Sequence, residues 1–290
     1  MTALAALALL GWLYLVLAHG RFWQAGPVLA AERPRETPGV CVVVPARDEA
    51  PTIAASIESL LGQDYPALRV VLVDDGSQDG TGEIAGASGD KRLTVLRGSA
   101  RPAGWAGKLW AVSQGVAAAD SPWLLLTDAD IVHAPGHLAS LMAQAEQCGA
   151  CMVSEMVALR CEAAAERALI PAFVYFFQLL YPFARVNDPA SRIAAAAGGT
   201  VLGLGVLFVV PPALALFGQG AARWVGLAGW AVMAASFLPT LRRFQLGAWR
   251  AATLPALALF YLAATLGSAL DHHRGRGVQW KRRSYAEETP

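Results

Sequence analysis

The stretch Leu124-Leu125-Leu126-Thr127-Asp128-Ala129-Asp130 carries apolar residues straight into two carboxylates spaced i, i+2. A short apolar run of this kind suits a strand buried on both faces, as in a parallel sheet. The carboxylates then fall at the strand's carboxyl end, where open α/β sheets bind their ligands. Two adjacent acids repel each other, and a divalent cation relieves the repulsion. Oxygen ligands favour Mg²⁺ or Mn²⁺, both of which commonly carry substrate phosphates. The competing reading is an acidic loop after a core strand, and D-x-D alone does not decide between them.

The residues upstream repeat the pattern. Val40-Cys41-Val42-Val43-Val44 is a β-rich run ended by Pro45, and a helix opens at Pro51 with Ile53, Ile57, Leu60 and Leu61 as its buried stripe and Gly62 as its stop. Arg69 to Val73 is a second strand, running into Asp74-Asp75-Gly76-Ser77-Gln78-Asp79-Gly80-Thr81. Leu93 to Leu96 is a third strand. A helix follows from Gly107 to Ala119 with Leu109, Val112 and Val116 on one face. Trp123 to Leu126 is the fourth strand, and Leu138, Leu141, Met142 and Ala145 stripe the next helix. Cys151 to Val153 is read as a fifth strand. Strands alternating with helices imply right-handed βαβ units and a mostly parallel sheet. Three acidic turns then converge on one crevice, after the first, second and fourth strands. Such a crevice suits a nucleotide diphosphate, with Lys108 at a helix start adding positive charge.

A chain of 290 residues allows one or two domains, and its 55% hydrophobic and 16% charged residues make it apolar for a soluble protein. The net charge of +1 selects no partner, and nucleic acid is not among those expected. Four cysteines, Cys41, Cys148, Cys151 and Cys161, do not form a disulfide framework in a chain this long, and Cys148-x-x-Cys151 lacks the second pair or histidine of a zinc site.

Both flanks read as membranous. Residues 1–20 form an apolar N-terminal anchor without the basic start of a signal peptide, and Arg21, Arg33 and Arg35 after it place the α/β domain in the cytoplasm. Residues 200–271 contain three apolar spans, at 201–217, 225–238 and 254–270, the first broken by Pro211-Pro212. Together these make a multi-pass protein of the cell's inner membrane. The tail, 272–290, is basic, with five Lys/Arg and no acid from Arg274 to Arg283. With four spans the loop at Arg242 and Arg243 and the tail cannot both be cytoplasmic. The segment 168–184, dense in Phe and Tyr with Pro171 and Pro182 near its ends, is expected to lie along the membrane surface.

Taken in order, Val44-Pro45-Ala46-Arg47-Asp48-Glu49, Asp74-Asp75-Gly76-Ser77-Gln78-Asp79-Gly80-Thr81, Gly107-Lys108 and Asp128-Ala129-Asp130 resemble the family 2 glycosyltransferases, with their GT-A fold. Gly104-Trp105-Ala106-Gly107-Lys108-Leu109-Trp110, the aromatic run from Ile170 to Phe177, Arg192 to Gly199, and Gly275-Arg276-Gly277 are similar to the membrane-bound, hopene-associated members. The resemblance implies that Pro45, Ala46, Arg47 and Glu49 line a nucleotide pocket. It implies that Asp75, with Asp74 behind it, contacts a uracil-type base. Asp128 would approach ribose and phosphate, and Asp128 and Asp130 would hold Mg²⁺ or Mn²⁺. A nucleotide-sugar donor, UDP-linked, a lipid acceptor with hopanoids among the candidates, and inverting transfer are implied by the same resemblance.

One departure stands out. The family continues past a Gly198-Gly199-like motif into an acceptor-binding half that carries the catalytic base, whereas here Thr200 and a span follow at once. The domain, 38–199, is short by about a hundred residues, and no acid occurs between Asp188 and Asp271. The alternative function is therefore a non-catalytic, truncated nucleotide-sugar-binding membrane protein. A dinucleotide-binding domain is excluded because the turn after the first strand has no glycine. A calcium loop starting at Asp75 fails because its twelfth position is Gly86.

Overall fold

The computed structural model describes residues 1–24, 26, 28–186, 198–273, 279–280 and 283–284, and it divides into two compact units. The first comprises residues 1–27 and 158–271, and the second residues 28–157 and 272–290.

The second unit is the α/β unit. Its strands are β1 (Val40–Ala46), β2 (Leu68–Asp74), β3 (Leu93–Arg97) and β4 (Trp123–Leu126), all parallel, in the order β3-β2-β1-β4. The chain builds outward from β1 to β3 and then returns to the other side of β1. The topological switch point therefore lies between β1 and β4. The helices of this unit are α2 (Ile53–Leu61), α3 (Thr81–Gly86), α4 (Gly107–Ala118) and α5 (His137–Cys148). β1 extends through Pro45, two residues beyond the expected stop. The Val43 carbonyl accepts from Thr127 N–H on the β4 side, so Pro45 turns its nitrogen to that same side, where β4 has already ended and no acceptor waits.

The two faces of the sheet are covered differently. Val40, Val42, Val44, Val70 and Leu72 pack under α2 and α5 in the main core. Cys41, Val43, Val71 and Val73 pack under α4. The expected stripe of α4 is not the one it buries. Leu109 is 62% exposed, while Gly107, Ala111 and Gly115, spaced i, i+4, i+8, face the sheet. A Cβ at Gly115 would lie 2.3 Å from Val43 Cγ1, so the helix backbone sits directly on the valines. Small residues win this face because β-branched side chains already fill the space between the layers.

β4 also departs from expectation. It is an edge strand whose Leu124 and Leu126 are 42% and 55% exposed. They share a face with Cys41 and Val43, their register partners, but α4 covers β1 and β2 and stops short of β4. Only Trp123 and Leu125, on the other face, pack against the main core. The expected fifth strand at Cys151 to Val153 does not form: this stretch has no strand partner, and Met152 is 82% exposed. A two-residue hairpin pair, β5 (Gln279–Trp280) and β6 (Arg283–Ser284), completes the described strands.

The first unit is helical: α1 (Thr2–Ala18), α6 (Ala164–Leu180), the single turn α7 (Phe183–Val186), α8 (Gly198–Phe217), α9 (Ala221–Arg243), a 3₁₀ segment (Ala248–Thr253) and α10 (Leu254–His273). Its core joins Trp12, Tyr175, Phe176, Phe208, Met233 and Phe237. Two helices among the described residues are long and apolar enough to cross a membrane, 221–243 and 248–267. The helix α1 is shorter, at 17 residues, so spans at both ends are not established.

Pro211 and Pro212 do not break α8, which runs through both. Proline at 211 removes the N–H that would have bonded the carbonyl four residues earlier, Leu207. Trp12 Nε1 donates to that carbonyl at 2.7 Å, and Trp12 is fully buried. Pro171 in α6 is handled in the same way: Arg250 Nη1 donates at 3.2 Å to the carbonyl of Arg167. The aromatic segment is thus a helix with a buried face, on which Tyr175 Oη meets Ser236 Oγ at 2.6 Å.

Candidate functional site

Open α/β sheets bind ligands beyond the carboxyl ends of their strands at the switch point. Here that point brings together the turn after β1, the turn after β2, the start of α4 and the turn after β4.

The first two turns are stitched into one body. Arg47 and Asp75 are both buried, at 9% and 4% exposed. Arg47 Nη1 donates to the Asp75 carbonyl and lies 3.6 Å from Asp75 Oδ2, while its Nε lies 3.8 Å from Asp48 Oδ2. Asp48 adopts φ +50, which asparagine and aspartate tolerate better than other side chains. From there its N–H donates to Ser77 Oγ at 3.0 Å, and its Oδ1 accepts from Gln78 N–H at 2.9 Å. Glu49 N–H donates to Thr81 Oγ1 and Ala50 N–H to Asp79 Oδ2. The Thr81 hydroxyl and the Ala50 amide hold the Asp79 carboxyl below its usual range. Asp74 turns back to accept from Ser77 N–H at 2.8 Å, and its carbonyl accepts from Gly98 N–H. Of the residues expected to line a pocket, Pro45 and Ala46 lie in the last positions of β1, and Glu49 is half-buried.

The third part is more open. Lys108, in the first turn of α4, places Nζ 2.5 Å from Asp128 Oδ1, with side chains 43% and 51% exposed. Asp130 is exposed and Ala129 between the acids is buried, so the two carboxylates flank an anchored residue. No group of three or more His, Cys, Asp or Glu side chains among the described residues is placed to hold a metal ion. Two carboxylates still suit a hard cation whose remaining ligands are water and phosphate, as is usual for Mg²⁺. The donor set of Asp128 and Asp130 fits such an ion.

The turn after β4 rests on a network that the sequence reading did not pick out. Thr127 Oγ1 lies 3.0 Å from His133 Nε2, His133 Nδ1 lies 3.1 Å from His137 Nδ1, and His137 Nε2 lies 3.0 Å from Glu155 Oε2. Burial, with the neighbouring His137, pushes the His133 pKa down to about 4. His133 N–H donates to Ser59 Oγ, and Gln63 bonds both the Ala134 carbonyl and the Leu138 amide, which fixes the turn to α2. The spacing His133-x-x-x-His137 just after the paired acids was the available signal.

Four acids before the Gly199 junction could in principle serve as a base, and the three within the described residues are all engaged. Glu155 bonds His137, Glu162 pairs with Arg160, and Glu166 accepts the N–H groups of Glu162 and Ala163 at the start of α6. Asp188, the run from Arg192 to Ala197, and Gly275-Arg276-Gly277 lie outside the described residues.

Residues 41–184 match the family model "Glycosyl transferase family 2". The match begins in β1 and takes in every turn just described. Two curated relatives, both from Rhizobium meliloti (strain 1021), are similar over the same kind of length. Succinoglycan biosynthesis protein ExoU is 35% identical over 36% of this chain and 30% of its own. Succinoglycan biosynthesis protein ExoO is 34% identical over 40% of this chain and 32% of its own. The chain thus spans about a third of the length of the curated relatives it matches. Among solved structures, mannosyltransferase PcManGT from Pyrobaculum calidifontis, in complex with GDP-Man and Mn²⁺, is 19% identical over 93% of this chain and 92% of that one, with a TM-score of 0.43.

Proposed function

We propose that the chain is a glycosyltransferase of polysaccharide or glycolipid assembly, taking its sugar from a nucleotide-sugar bound at the carboxyl end of β1, β2 and β4. The observation that carries this reading is the convergence of the Arg47–Asp75 pair and the Lys108–Asp128 pair on the switch point of a parallel sheet, within the segment that matches family 2.

In this reading the residues divide the donor between them. The rigid body formed by the turns after β1 and β2, with Pro45, Ala46, Arg47, Glu49, Asp74 and Asp75, receives base and ribose. Lys108 exchanges Asp128 for the diphosphate, and Asp128 and Asp130 then hold Mg²⁺ or Mn²⁺. When bound, that cation acts as a Lewis acid on the leaving nucleoside diphosphate. Inversion by direct displacement needs a base on the acceptor hydroxyl. The names of the relatives favour polysaccharide assembly, and a hopanoid acceptor rests on resemblance alone. A lipid-borne acceptor is supported by the two long apolar helices of the helical unit. With Arg21, Arg33 and Arg35 following α1, we place the α/β unit on the cytoplasmic side of the inner membrane.

The second reading, a nucleotide-sugar-binding protein that does not turn over, is favoured by the bare face of β4. Leu124 and Leu126 are apolar, exposed, and lie beside the site. One experiment separates the two: nucleoside diphosphate release from UDP- and GDP-sugars by the full chain with membrane lipid present. Metal-dependent release supports transfer. Saturable nucleotide binding without release supports the second reading, and absence of both overturns the donor site.

A further inference from the structure

The helical unit contains a cavity of about 230 Å³ where the start of α6, the end of α9 and the 3₁₀ segment meet. Its lining is sharply divided. Pro171, Phe237, Leu241 and Leu257 make it apolar, while Arg167 and Arg250 stand at it as cations. Arg250 is fixed twice, by its bond to the Arg167 carbonyl that Pro171 leaves free and by its position 4.9 Å from the centre of the Trp249 ring. Arg242 and Arg243 close the last turn of the neighbouring α9. No ion pair among the described residues engages Arg167, Arg242, Arg243 or Arg250. The nearby acids are already committed, Glu162 to Arg160 and Glu166 to two backbone amides.

Unneutralised guanidinium groups beside an apolar hollow ask for a ligand with the same division. Guanidinium binds phosphate oxygens in pairs and holds them more strongly than neutral donors do. The hollow is smaller than the roughly 300–1,000 Å³ of a drug-sized site, so it takes a headgroup and the first carbons of a chain whose remainder lies outside. Trp249, 70% exposed at the head of the second long apolar stretch, is the residue type favoured at the level of lipid headgroups. We infer that this cavity binds the phosphate headgroup of an anionic single- or double-chain amphiphile, with Arg167 and Arg250 on the phosphate and Pro171, Phe237 and Leu257 on the first methylenes. The site is independent of the donor site and stands whether or not the chain transfers sugar.

The test uses the full chain in a nonionic detergent, titrated by calorimetry with dodecyl phosphate, with dodecanol, and with inorganic phosphate. Dodecyl phosphate is expected to bind saturably, one per chain, at least tenfold tighter than either of the other two. In Arg167→Gln/Arg250→Gln that binding should fall about tenfold or more, and in Arg160→Gln, a control outside the cavity, it should not change. Equal binding of inorganic phosphate would reduce the site to a simple anion site, and equal binding of dodecanol to an apolar one; either overturns the inference. So does full affinity in the double variant. The wild-type comparison decides the matter by itself where the double variant fails to fold.

Discussion

Lys108 Nζ sits 2.5 Å from Asp128 Oδ1, tying the first turn of α4 to the residue that follows the edge strand β4 by two positions. Both side chains are about half exposed, so the pair is cheap to open and contributes little to stability. Its value lies in what replaces it. In the proposed function a nucleoside diphosphate would offer Lys108 a better anion and leave Asp128 free to hold a cation. Asp128→Asn and Asp130→Asn should each weaken UDP binding about tenfold in the presence of Mn²⁺ and hardly at all without it. Calorimetric titration of UDP with and without metal reads this directly, and equal affinities for wild type in both conditions would contradict it.

The Arg47–Asp75 pair behaves differently because it is buried. Removing Asp75 leaves the buried guanidinium only the more exposed Asp48 carboxylate at 3.8 Å, so the cost approaches but does not exceed the roughly 3–5 kcal/mol of a fully orphaned buried charge. Asp75→Asn is therefore expected to lower the urea midpoint of the α/β unit strongly, more than Asp79→Asn on the exposed side of the same turn. A smaller loss for the pair-deleting double variant Arg47→Leu/Asp75→Leu than for Asp75→Asn would confirm that the burden is the orphaned charge.

Gly115→Ala sets two effects against each other. Alanine favours the helix by about 1 kcal/mol. Its Cβ would lie 2.3 Å from Val43 Cγ1 and 3.1 Å from Val73 Cγ2, neither of which is the end of a flexible chain. Overpacking of this kind costs about 1–3 kcal/mol, so the variant should melt lower than wild type. Adding Val43→Ala should return part of the loss.

His133 gives the stability of the α/β unit a pH dependence of defined sign. Its pKa in the folded chain is about 4, against an ordinary value of 6.5. Between those values the unfolded chain holds a proton that the folded one does not, so stability falls as pH drops from 6.5 toward 4 and levels off below. The full change is on the order of 3 kcal/mol. Denaturant midpoints measured across pH 4 to 7 should show the slope in wild type and a flatter one in His133→Gln.

Trp12→Phe keeps an aromatic ring but removes the N–H that serves the Leu207 carbonyl, together with part of a fully buried volume. A buried acceptor left without a partner costs about 1–3 kcal/mol. The helical unit should lose thermal stability in detergent by that order. Pro211→Ala in the same background should restore part of it, because the alanine N–H can reach the carbonyl that Trp12 no longer serves.

Much of the α/β unit was legible in the sequence because apolar runs, turn residues and acidic strand ends agree with one another. The four strands, their parallel direction and the stop at Gly62 follow from those local signals. What was not legible depends on neighbours. Leu109, Val112 and Val116 carry the larger apolar side chains of α4. Only the valines of β1 and β2 show that the available gap admits glycine and alanine instead. Leu124 to Leu126 reads as doubly buried, and its edge position is set by how far α4 reaches. The partners of Pro171 and Pro211 lie 79 and 199 residues away, at Arg250 and Trp12, beyond any local pattern. The His133–His137 pair was visible in spacing but not in role, since His133 lies in the turn before α5 and meets His137 only through the way that turn folds back.

The free side of β4 has a consequence for handling the molecule. Its outward N–H and C=O groups form a short ladder at strand spacing with nothing across from them in the described sheet, next to Leu124 and Leu126. Any extended peptide that reaches it can add a strand and bury two leucines at once. A fragment cut to residues 28–157 should therefore stick to itself as its concentration rises, edge to edge. A single lysine in place of Leu126 should hold such a fragment monodisperse.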